Sequence, residues 1–382
     1  MRGKANFDER PSIAIWETTQ ACDLACAHCR AVAQPSRDAG ELTTAEAKHL
    51  IDEIAAMEVP VFVLTGGDPL MRPDIFVLVQ YASGRNVRVS LTPSATPHLT
   101  RESVVRLKEC GLARLDISLD GPSDRLHDAV RSVPGSFQWT FDAARWARQI
   151  GLPVQINTTL TRHNVEMLDE IVDLLETLDI TQWSVFFLVP SGGASGVDLI
   201  SALEFEQVFE KLYRASQRVL FNIKTNEARH YRRYVFQRRT EVRQMRQQPS
   251  QTYTRIPQFS RSGADTLDDI GSVPCDSNDA QGFVFISHLG EVHPSRFLPL
   301  SGGNLRRQSL SDIYRNSLLF RKLRDSRNLE GKCGMCEYRE SCGGSRARSF
   351  AMTGNLFAEE PCCVYEPKRH VGARDEAESV AV

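Results

Sequence analysis

The sequence predicts an α/β fold in which a parallel sheet is covered by helices. Between residues 13 and 225, six short apolar or β-branched segments alternate with segments of helical periodicity; the six segments lie at 13–16, 61–65, 87–92, 115–119, 154–160 and 183–189. Continuous apolar strands of this kind are typical of parallel sheets with both faces buried. Six such units are too few for a complete eight-unit barrel. The sequence therefore predicts either a partial, open barrel or a doubly wound sheet.

The segments between the strands have the apolar spacing of amphipathic helices. The first, TTAEAKHLIDEIAAM, begins with Thr43 and Thr44, either of which can cap a helix, and Glu46 is placed to complete the cap. Four later segments show the same spacing, namely PDIFVLVQYAS, TRESVVRLKEC, SFQWTFDAARWARQI and NVEMLDEIVDLLETL. Each predicted strand is thus followed by a predicted helix, as parallel connections require.

Composition limits the classes of protein to which the chain can belong. Its 382 residues suggest two domains, and a net charge of −2 gives no reason to expect nucleic acid or membrane as a partner. No segment has the ~20 consecutive apolar residues of a membrane span, and the N-terminal segment MRGKANFDERPS lacks the apolar core of a secretory signal. We therefore expect a cytoplasmic protein with reduced thiols, in which the ten cysteines serve mainly as metal ligands.

The distribution of arginine, glycine and cysteine divides the chain into four regions. Residues 10–225 carry the predicted partial barrel, 226–272 form an Arg-rich linker or loop, 273–366 form a small Cys-rich domain, and 367–382 form a tail. Within the third region, GFVFISHLGEV predicts a hairpin with Gly290 in its turn.

Three cysteines follow the first predicted strand with the spacing C-x3-C-x2-C, at Cys22, Cys26 and Cys29. Three thiolates can bind three irons of a 4Fe–4S cluster and leave the fourth iron open for a substrate or cosubstrate. The alternative is a zinc site with His28 as a fourth ligand, but His28 lies between two of the cysteines, where its ring cannot easily reach the same ion. The spacing favours the iron–sulfur cluster.

A second motif, Thr65-Gly66-Gly67-Asp68-Pro69-Leu70, ends the second predicted strand. Two adjacent glycines allow backbone groups to approach a ligand closely. Such a turn is weak evidence alone, but it follows the cysteine motif by about one β-α unit, and together the two motifs indicate one site.

With these motifs the sequence resembles the radical S-adenosylmethionine (SAM) superfamily, in the subgroup that carries a C-terminal SPASM or twitch extension. Four segments carry the resemblance: CDLACAHC, GGDP, SLDG followed by HDAVRSVPGSF, and CGMCEYRESCGG. The resemblance implies a partial (β/α)6 TIM-like barrel with a small C-terminal Cys-rich iron–sulfur domain. It further implies an enzyme that reductively cleaves SAM to a 5′-deoxyadenosyl radical, which abstracts hydrogen from the substrate.

The resemblance also implies roles for individual residues. Cys22, Cys26 and Cys29 would ligate the SAM-binding 4Fe–4S cluster. Seven other residues would contact SAM: Gly66, Gly67 and Asp68 at the methionyl amine, Ser118 and Asp120 near the ribose, Asn157 on the fifth strand, and Arg131 at the methionyl carboxylate. For Arg131 an ordinary surface position is an equally good interpretation.

The C-terminal cysteines predict an auxiliary cluster. Cys333, Cys336 and Cys342, with Cys362 or Cys363, supply the four thiolates of a closed 4Fe–4S cluster, and the resemblance favours Cys363 because the related motif is Pro-x-Cys before an aromatic residue. A zinc ribbon is the alternative. Two cysteines of the related two-cluster domains are missing, near Ser295 and Ser345, so we expect one auxiliary cluster. Cys275 is then either a buried thiol or a residue near the substrate.

The substrate is predicted from the C-terminal segment CGGSRARSFAMTGNLFAEEPCC, which resembles the haem-biosynthesis branch that modifies tetrapyrrole propionates. A large anionic macrocycle needs cations and apolar walls. The segment at 229–234 could supply them, with an axial histidine at His230, His288 or His293; a solvated amphipathic helix is the alternative for that segment.

Two other functions remain open on sequence alone. One is a peptide or protein maturase that forms thioether or carbon–carbon bonds, although only 21 residues precede Cys22. The other is a non-catalytic iron–sulfur electron-transfer protein. For the tetrapyrrole enzyme and for the maturase alike, we expect a reduced flavodoxin or ferredoxin-type protein as the electron donor.

Overall fold

The computed structural model describes residues 6–194, 196–247 and 279–368. Its strands are β1 Ile13–Glu17, β2 Val61–Thr65, β3 Val89–Leu91, β4 Arg114–Ser118, β5 Val154–Leu160, β6 Gln182–Phe187, β7 Asn222–Asn226, β8 Phe283–Ile286, β9 Glu291–His293 and β10 Gly303–Asn304. All belong to one sheet in the order β10-β9-β8-β1-β2-β3-β4-β5-β6-β7. The strands from β1 to β7 pair in parallel with their neighbours, which confirms the predicted α/β class.

Two features of the sheet differ from the sequence prediction. A seventh parallel strand, β7, follows β6; its sequence NIKTN has only half-buried residues, so no apolar run marks it. The predicted hairpin around Gly290 forms from β8 and β9, and β8 also pairs in parallel with β1. The C-terminal region therefore extends the barrel sheet directly.

The helices are α1 Thr44–Ala56, α2 Ile75–Gly84, α3 Arg101–Glu109, α4 Asp124–Arg131, α5 Ser136–Gln149, α6 Leu168–Glu176, α7 Ala202–Ala215, α8 His230–Gln247, α9 Leu310–Asn316, α10 Leu318–Arg324, α11 Gly331–Met335 and α12 Arg346–Thr353. The predicted cap of α1 is Thr43, whose side chain accepts from the backbone N–H of Glu46 while the Glu46 carboxylate accepts from that of Thr43. None of the described helices is both long and apolar enough to span a membrane.

The two faces of the sheet have different chemistry. One face packs against the helices in a large apolar core, to which Trp16 and Trp183 contribute fully buried indoles. The inner face of the barrel carries a small apolar cluster beside β1 and β2, and polar side chains on β4 to β6 such as Arg114, Gln155 and Gln182. Alternation along these strands thus places polar groups inside the barrel.

The Arg-rich segment, expected as a linker or loop, includes the helix α8 in its described part. The rest of that segment, from 248 to 272, lies outside the described residues, as do residues 273–278 with Cys275 and the tail beyond residue 368.

Candidate active site

One cavity lies at the carboxyl ends of the strands and has a volume of about 1240 Å³, counting its open mouth. The three N-terminal cysteines all line it. So do five of the seven residues predicted to contact SAM: Gly66, Gly67, Ser118, Arg131 and Asn157. The structure therefore brings together residues from four strand ends and from α4, at the edge where parallel α/β sheets bind their ligands.

The cysteine loop is held by backbone hydrogen bonds to three other segments. The Cys22 N–H donates to the carbonyl of Gln34 at 2.9 Å, and the Ala27 N–H donates to that of Val130, at the end of α4, at 3.0 Å. The Cys29 carbonyl accepts from the N–H of Gly193 at 2.9 Å. These bonds fix the loop although it contains neither helix nor strand.

Gly66 and Gly67 lie against the backbone that leads into the cysteine loop. A Cβ at Gly66 would lie 2.4 Å from the carbonyl oxygen of Thr19, and one at Gly67 would lie 2.3 Å from that of Ala21. The Gly67 N–H also donates to Thr19 O at 2.7 Å. The glycines are therefore required for close backbone packing, in addition to any contact with a ligand.

The side chain of Asp68 is directed into the turn that follows β2. It is fully buried and accepts hydrogen bonds from the Leu70 N–H at 3.1 Å and from Thr96 Oγ1 at 2.9 Å. Burial raises the pKa of this carboxyl despite those bonds. The carboxylate caps the turn that follows it, and Asp68 is not among the described residues that line the cavity, so its contact with SAM stays a prediction.

Asp120 is also absent from the described residues that line the cavity, and its carboxylate lies behind Arg131. Its carboxylate forms an ion pair with Arg131, with 2.5 Å between Oδ2 and Nη2, and accepts from the Thr159 N–H at 2.7 Å. Burial would raise the pKa of Asp120, but the charge of Arg131 and the hydrogen bond from Thr159 outweigh it and hold the pKa below its ordinary value. Asp120 thus orients Arg131, whose Nη1 lies 3.6 Å from Cys26 Sγ. Arg131 is no surface residue.

His28 faces Asp120 at 3.8 Å between Nε2 and Oδ2. Burial lowers its pKa and Arg131 lowers it further, against the pull of Asp120, so the ring is neutral at physiological pH. Ser118, the last residue of β4, and Asn157 within β5 line the cavity, and Asn157 Oδ1 accepts from Gln155 Nε2 at 2.7 Å.

Sequence reasoning missed three parts of this site. Ser94, after β3, has its Oγ 3.2 Å from Cys22 Sγ and donates to the Gly67 carbonyl at 3.0 Å. Gly192 has a φ of 61°, and a Cβ there would lie 2.3 Å from Arg30 O. Arg296 lines the cavity from the C-terminal region. The Gly-Gly pair after β6 was a usable signal because it repeats the feature that marks β2; Arg296 and Ser94 had none.

The C-terminal cysteines line a second cavity together. Cys333, Cys336, Cys342 and Cys363 all face it, whereas Cys362 is buried in the apolar core. The Glu360 N–H donates to Cys333 Sγ at 3.3 Å and the Tyr338 N–H donates to Cys336 Sγ at 3.4 Å. This placement supports Cys363 as the fourth thiolate.

The positions of the two missing cysteines are occupied by a buried polar network. Ser345 donates to Glu227, and its N–H donates to Glu360 at 2.7 Å. Asp279 accepts from the N–H groups of Arg346 and Ala347, at 2.9 and 3.1 Å, and also hydrogen-bonds Ser295. Burial raises the pKa of both Glu227 and Asp279, which interact with each other. These contacts support the prediction of a single auxiliary cluster.

The arginine segment lies beside the second cavity, where His230 and Arg233 line the wall. Arg233 pairs with Glu206 at 3.0 Å, and His230 is buried and stacked on Phe205. None of residues 229–234 lines the first cavity, so they do not form the predicted porphyrin wall there. His288 and His293 do not line it either; they bond Glu17 and the Leu300 carbonyl, each at 3.0 Å.

The chain belongs to the radical SAM superfamily. Residues 16–175 match that superfamily, and residues 275–337 match the iron–sulfur cluster-binding domain called SPASM. The chain is 39% identical to the AdoMet-dependent heme synthase of Oleidesulfovibrio alaskensis, over 94% of this chain and 89% of that protein. It is 38% identical to the enzyme of the same name from Methanosarcina barkeri, over 94% and 97%. The mycofactocin maturase MftC of Mycobacterium tuberculosis is 30% identical, over 93% and 83%.

The fold resembles that of solved radical SAM structures. Streptococcus suis SuiB bound to S-adenosylmethionine matches with a TM-score of 0.69 over 94% of this chain and 78% of that one, at 16% identity. The family and the full-length relatives show that this protein is an enzyme that uses a 4Fe–4S cluster and SAM and carries an auxiliary iron–sulfur domain. The non-catalytic alternative is therefore wrong.

The residues of the first cavity fit the cluster and SAM. The Arg131 guanidinium donates toward Cys26 Sγ, and the Leu24 N–H donates to Cys22 Sγ. Hydrogen-bond donors of this kind stabilise cluster thiolates. Burial raises the pKa of Cys22 to about 11, so its thiolate needs a bound cation. No three His, Cys, Asp or Glu side chains in the described ranges converge on one ion; a cubane needs no such convergence, because each thiolate binds a different iron.

Proposed function

We propose that this enzyme converts propionate side chains of an iron-coproporphyrin to vinyl groups, as the final step of a SAM-dependent route to haem. The observation that carries the proposal is the 39% identity to an AdoMet-dependent heme synthase along nearly the whole of both chains. The intact cysteine sets and the single auxiliary site are consistent with it.

The proposed reaction balances as an oxidative decarboxylation. Bound SAM and its reduced cluster supply a 5′-deoxyadenosyl radical that removes one hydrogen atom from the propionate carbon attached to the ring. Loss of CO₂ and one electron then leaves the vinyl group. A one-electron acceptor must take that electron, and the auxiliary domain is the redox centre that this chain offers.

The residues of the chain hold and orient the reactants. Cys22, Cys26 and Cys29 would hold the cluster, and Arg131, aligned by Asp120, would bind the SAM carboxylate through a planar fork. The cavity continues toward the inside of the barrel, where Phe186 and Phe297 provide apolar walls. A wall of this kind excludes water from a radical intermediate.

The reductant and cellular location follow from the same proposal. A reduced flavodoxin or ferredoxin-type protein would deliver the electron that starts SAM cleavage, in the cytoplasm. The peptide-maturase alternative has less support, because the identity to the maturase MftC is 30% and the likeness to SuiB, at 16% identity, concerns the fold.

The test is an anaerobic reaction of reconstituted protein with SAM, dithionite and iron-coproporphyrin III. We expect 5′-deoxyadenosine together with porphyrins that have lost one CO₂ and two hydrogen atoms per converted side chain, detected by mass spectrometry. Cys26→Ala should abolish both products. Formation of 5′-deoxyadenosine with unchanged porphyrin, at porphyrin concentrations that saturate binding, would contradict the proposal.

A further inference from the structure

Arg296 joins the cavity of the cysteine loop to the interior of the barrel. Arg296 follows β9 and is next to Ser295. Its side chain lines both the first cavity and the space inside the barrel, which is bounded by inward-facing residues of β4 to β7 and of β1 and β2. No other arginine among the described residues lines both spaces.

Within the described part of the chain, Arg296 has no carboxylate partner. Its guanidinium lies over the rings of Phe186 and Phe297, at 5.5 and 5.4 Å, and its buried Nε has no hydrogen bond. Two acids, Glu17 and Glu227, act on Arg296 electrostatically. Glu17 pairs with Arg30 and with His288.

The other acid that acts on Arg296, Glu227, is mostly neutral at physiological pH, because burial and the neighbouring Asp279 raise its pKa to about 8 although it accepts a hydrogen bond from Ser345. Arg296 itself keeps its charge. Burial lowers its pKa to about 10, with a further lowering by Arg30, and at neutral pH the group is still protonated. Cys29, which lines the same cavity, is the other group that acts on Arg296. No carboxylate among the described residues pairs with this partly buried guanidinium, and such a charge favours binding of an anion at this position.

We infer that Arg296 binds a side-chain carboxylate of the tetrapyrrole substrate, with Phe186 and Phe297 against the macrocycle. The inference rests on the proposed function. A guanidinium matches a carboxylate in a two-point contact, and the aromatic faces beside it suit a flat apolar ring. The SAM carboxylate has its own candidate partner in Arg131, which lies beside Cys26 and Asp120.

The test compares the full-length chain with its Arg296→Gln and Arg296→Lys variants by optical titration of iron-coproporphyrin III, which requires no turnover. We expect Arg296→Gln to weaken porphyrin binding roughly 10- to 100-fold, as loss of a charge-assisted contact does, and Arg296→Lys to recover part of it. Arg321→Gln, on the exposed side of α10, is the matched control and should bind as the wild type does.

Parallel titrations with SAM and with the tetramethyl ester of the porphyrin identify the anion. The loss of affinity in Arg296→Gln should be larger for the free porphyrin acid than for SAM, and it should disappear for the ester. An equal or larger loss of SAM affinity, or an equal loss for the ester, would overturn the inference. Wild-type affinity in Arg296→Gln would also overturn it, whereas a wild-type protein that does not bind the porphyrin would instead refute the proposed function.

Discussion

Replacing Gly67 by alanine tests how the Gly-Gly turn supports the cysteine loop. The new Cβ would lie 2.3 Å from Ala21 O, and ordinary van der Waals contact begins at 3.4 Å, so the backbone must separate by about 1 Å. That separation strains the 2.7 Å bond from the Gly67 N–H to Thr19 O and the 2.6 Å bond from the Asp68 N–H to Ala21 O. Because Cys22 follows directly, the loop that presents the cluster ligands must move as well.

The expected cost has two parts. Overpacking of this kind lowers the free energy of unfolding by about 1–3 kcal/mol. A displacement of ~1 Å at a catalytic group lowers the rate by about 100-fold. We therefore expect Gly67→Ala to unfold at lower urea concentration, to hold less iron after reconstitution, and to form 5′-deoxyadenosine about 100-fold more slowly than the wild type.

Gly84→Ala is the matched control. Gly84 ends α2, and a methyl group added there would meet no other segment of the chain within 4 Å. Alanine at this position should therefore leave iron content and SAM cleavage unchanged and raise stability by up to about 1 kcal/mol. The reasoning is refuted if Gly67→Ala matches the wild type in unfolding, iron content and SAM cleavage.

Three further predictions follow from the site. Iron analysis of the reconstituted wild type should give about eight irons per chain, from two 4Fe–4S clusters. Cys363→Ala should lose about half of this iron, whereas Cys362→Ala should keep it. The reverse result would reassign the fourth ligand of the auxiliary cluster. Asp120→Asn should lower the free energy of unfolding at pH 7 by about 3 kcal/mol, because it leaves Arg131 buried without its carboxylate; since the pKa of Asp120 is depressed, the difference should shrink in acid as the wild-type carboxyl protonates. Burial raises the pKa of Glu227, so the folded chain binds more protons than the unfolded chain between about pH 5 and pH 8, and stability falls as pH rises through that window. Urea unfolding at several pH values should show that the free energy of unfolding depends less on pH in Glu227→Gln than in the wild type. An unchanged pH dependence would exclude this carboxyl as its source.

The parts of the site that the sequence predicted are those encoded in short, local patterns. Cys22, Cys26 and Cys29 lie within one loop, and Gly66 and Gly67 lie in one turn, so their proximity needs only the correct order of strands. The parallel α/β class follows from the same alternation of strands and helices. The prediction that the cysteine motif and the Gly-Gly motif form one site depended on a single assumption, namely that parallel strands end at one edge of the sheet.

The parts that the sequence did not specify depend on the direction of side chains at the ends of strands. Ser118 is the last residue of β4 and faces the cavity, but Asp120 lies beyond the strand, where the chain turns and buries its carboxylate under Arg131. Asp68 turns inward for the same reason and caps the turn that follows it. Spacing along a motif does not specify such rotations, because they are set by contacts with Thr159 and Thr96 from distant segments.

The loss of two cysteines has a structural consequence that joins both sites. At Ser295 and Ser345 the hydroxyl groups engage Asp279 and Glu227, two carboxyls whose pKa burial raises, so these side chains form a buried hydrogen-bonded network. Glu227, with a pKa of about 8, is mostly neutral at pH 7 and compensates little of the charge of Arg296, which follows Ser295 directly in the chain. A thiolate cluster at the same place would carry negative charge and would compete for that guanidinium. On the inference made for Arg296, serine at these two positions has a second consequence besides the absence of two thiolates, because it leaves the guanidinium available to an anionic substrate.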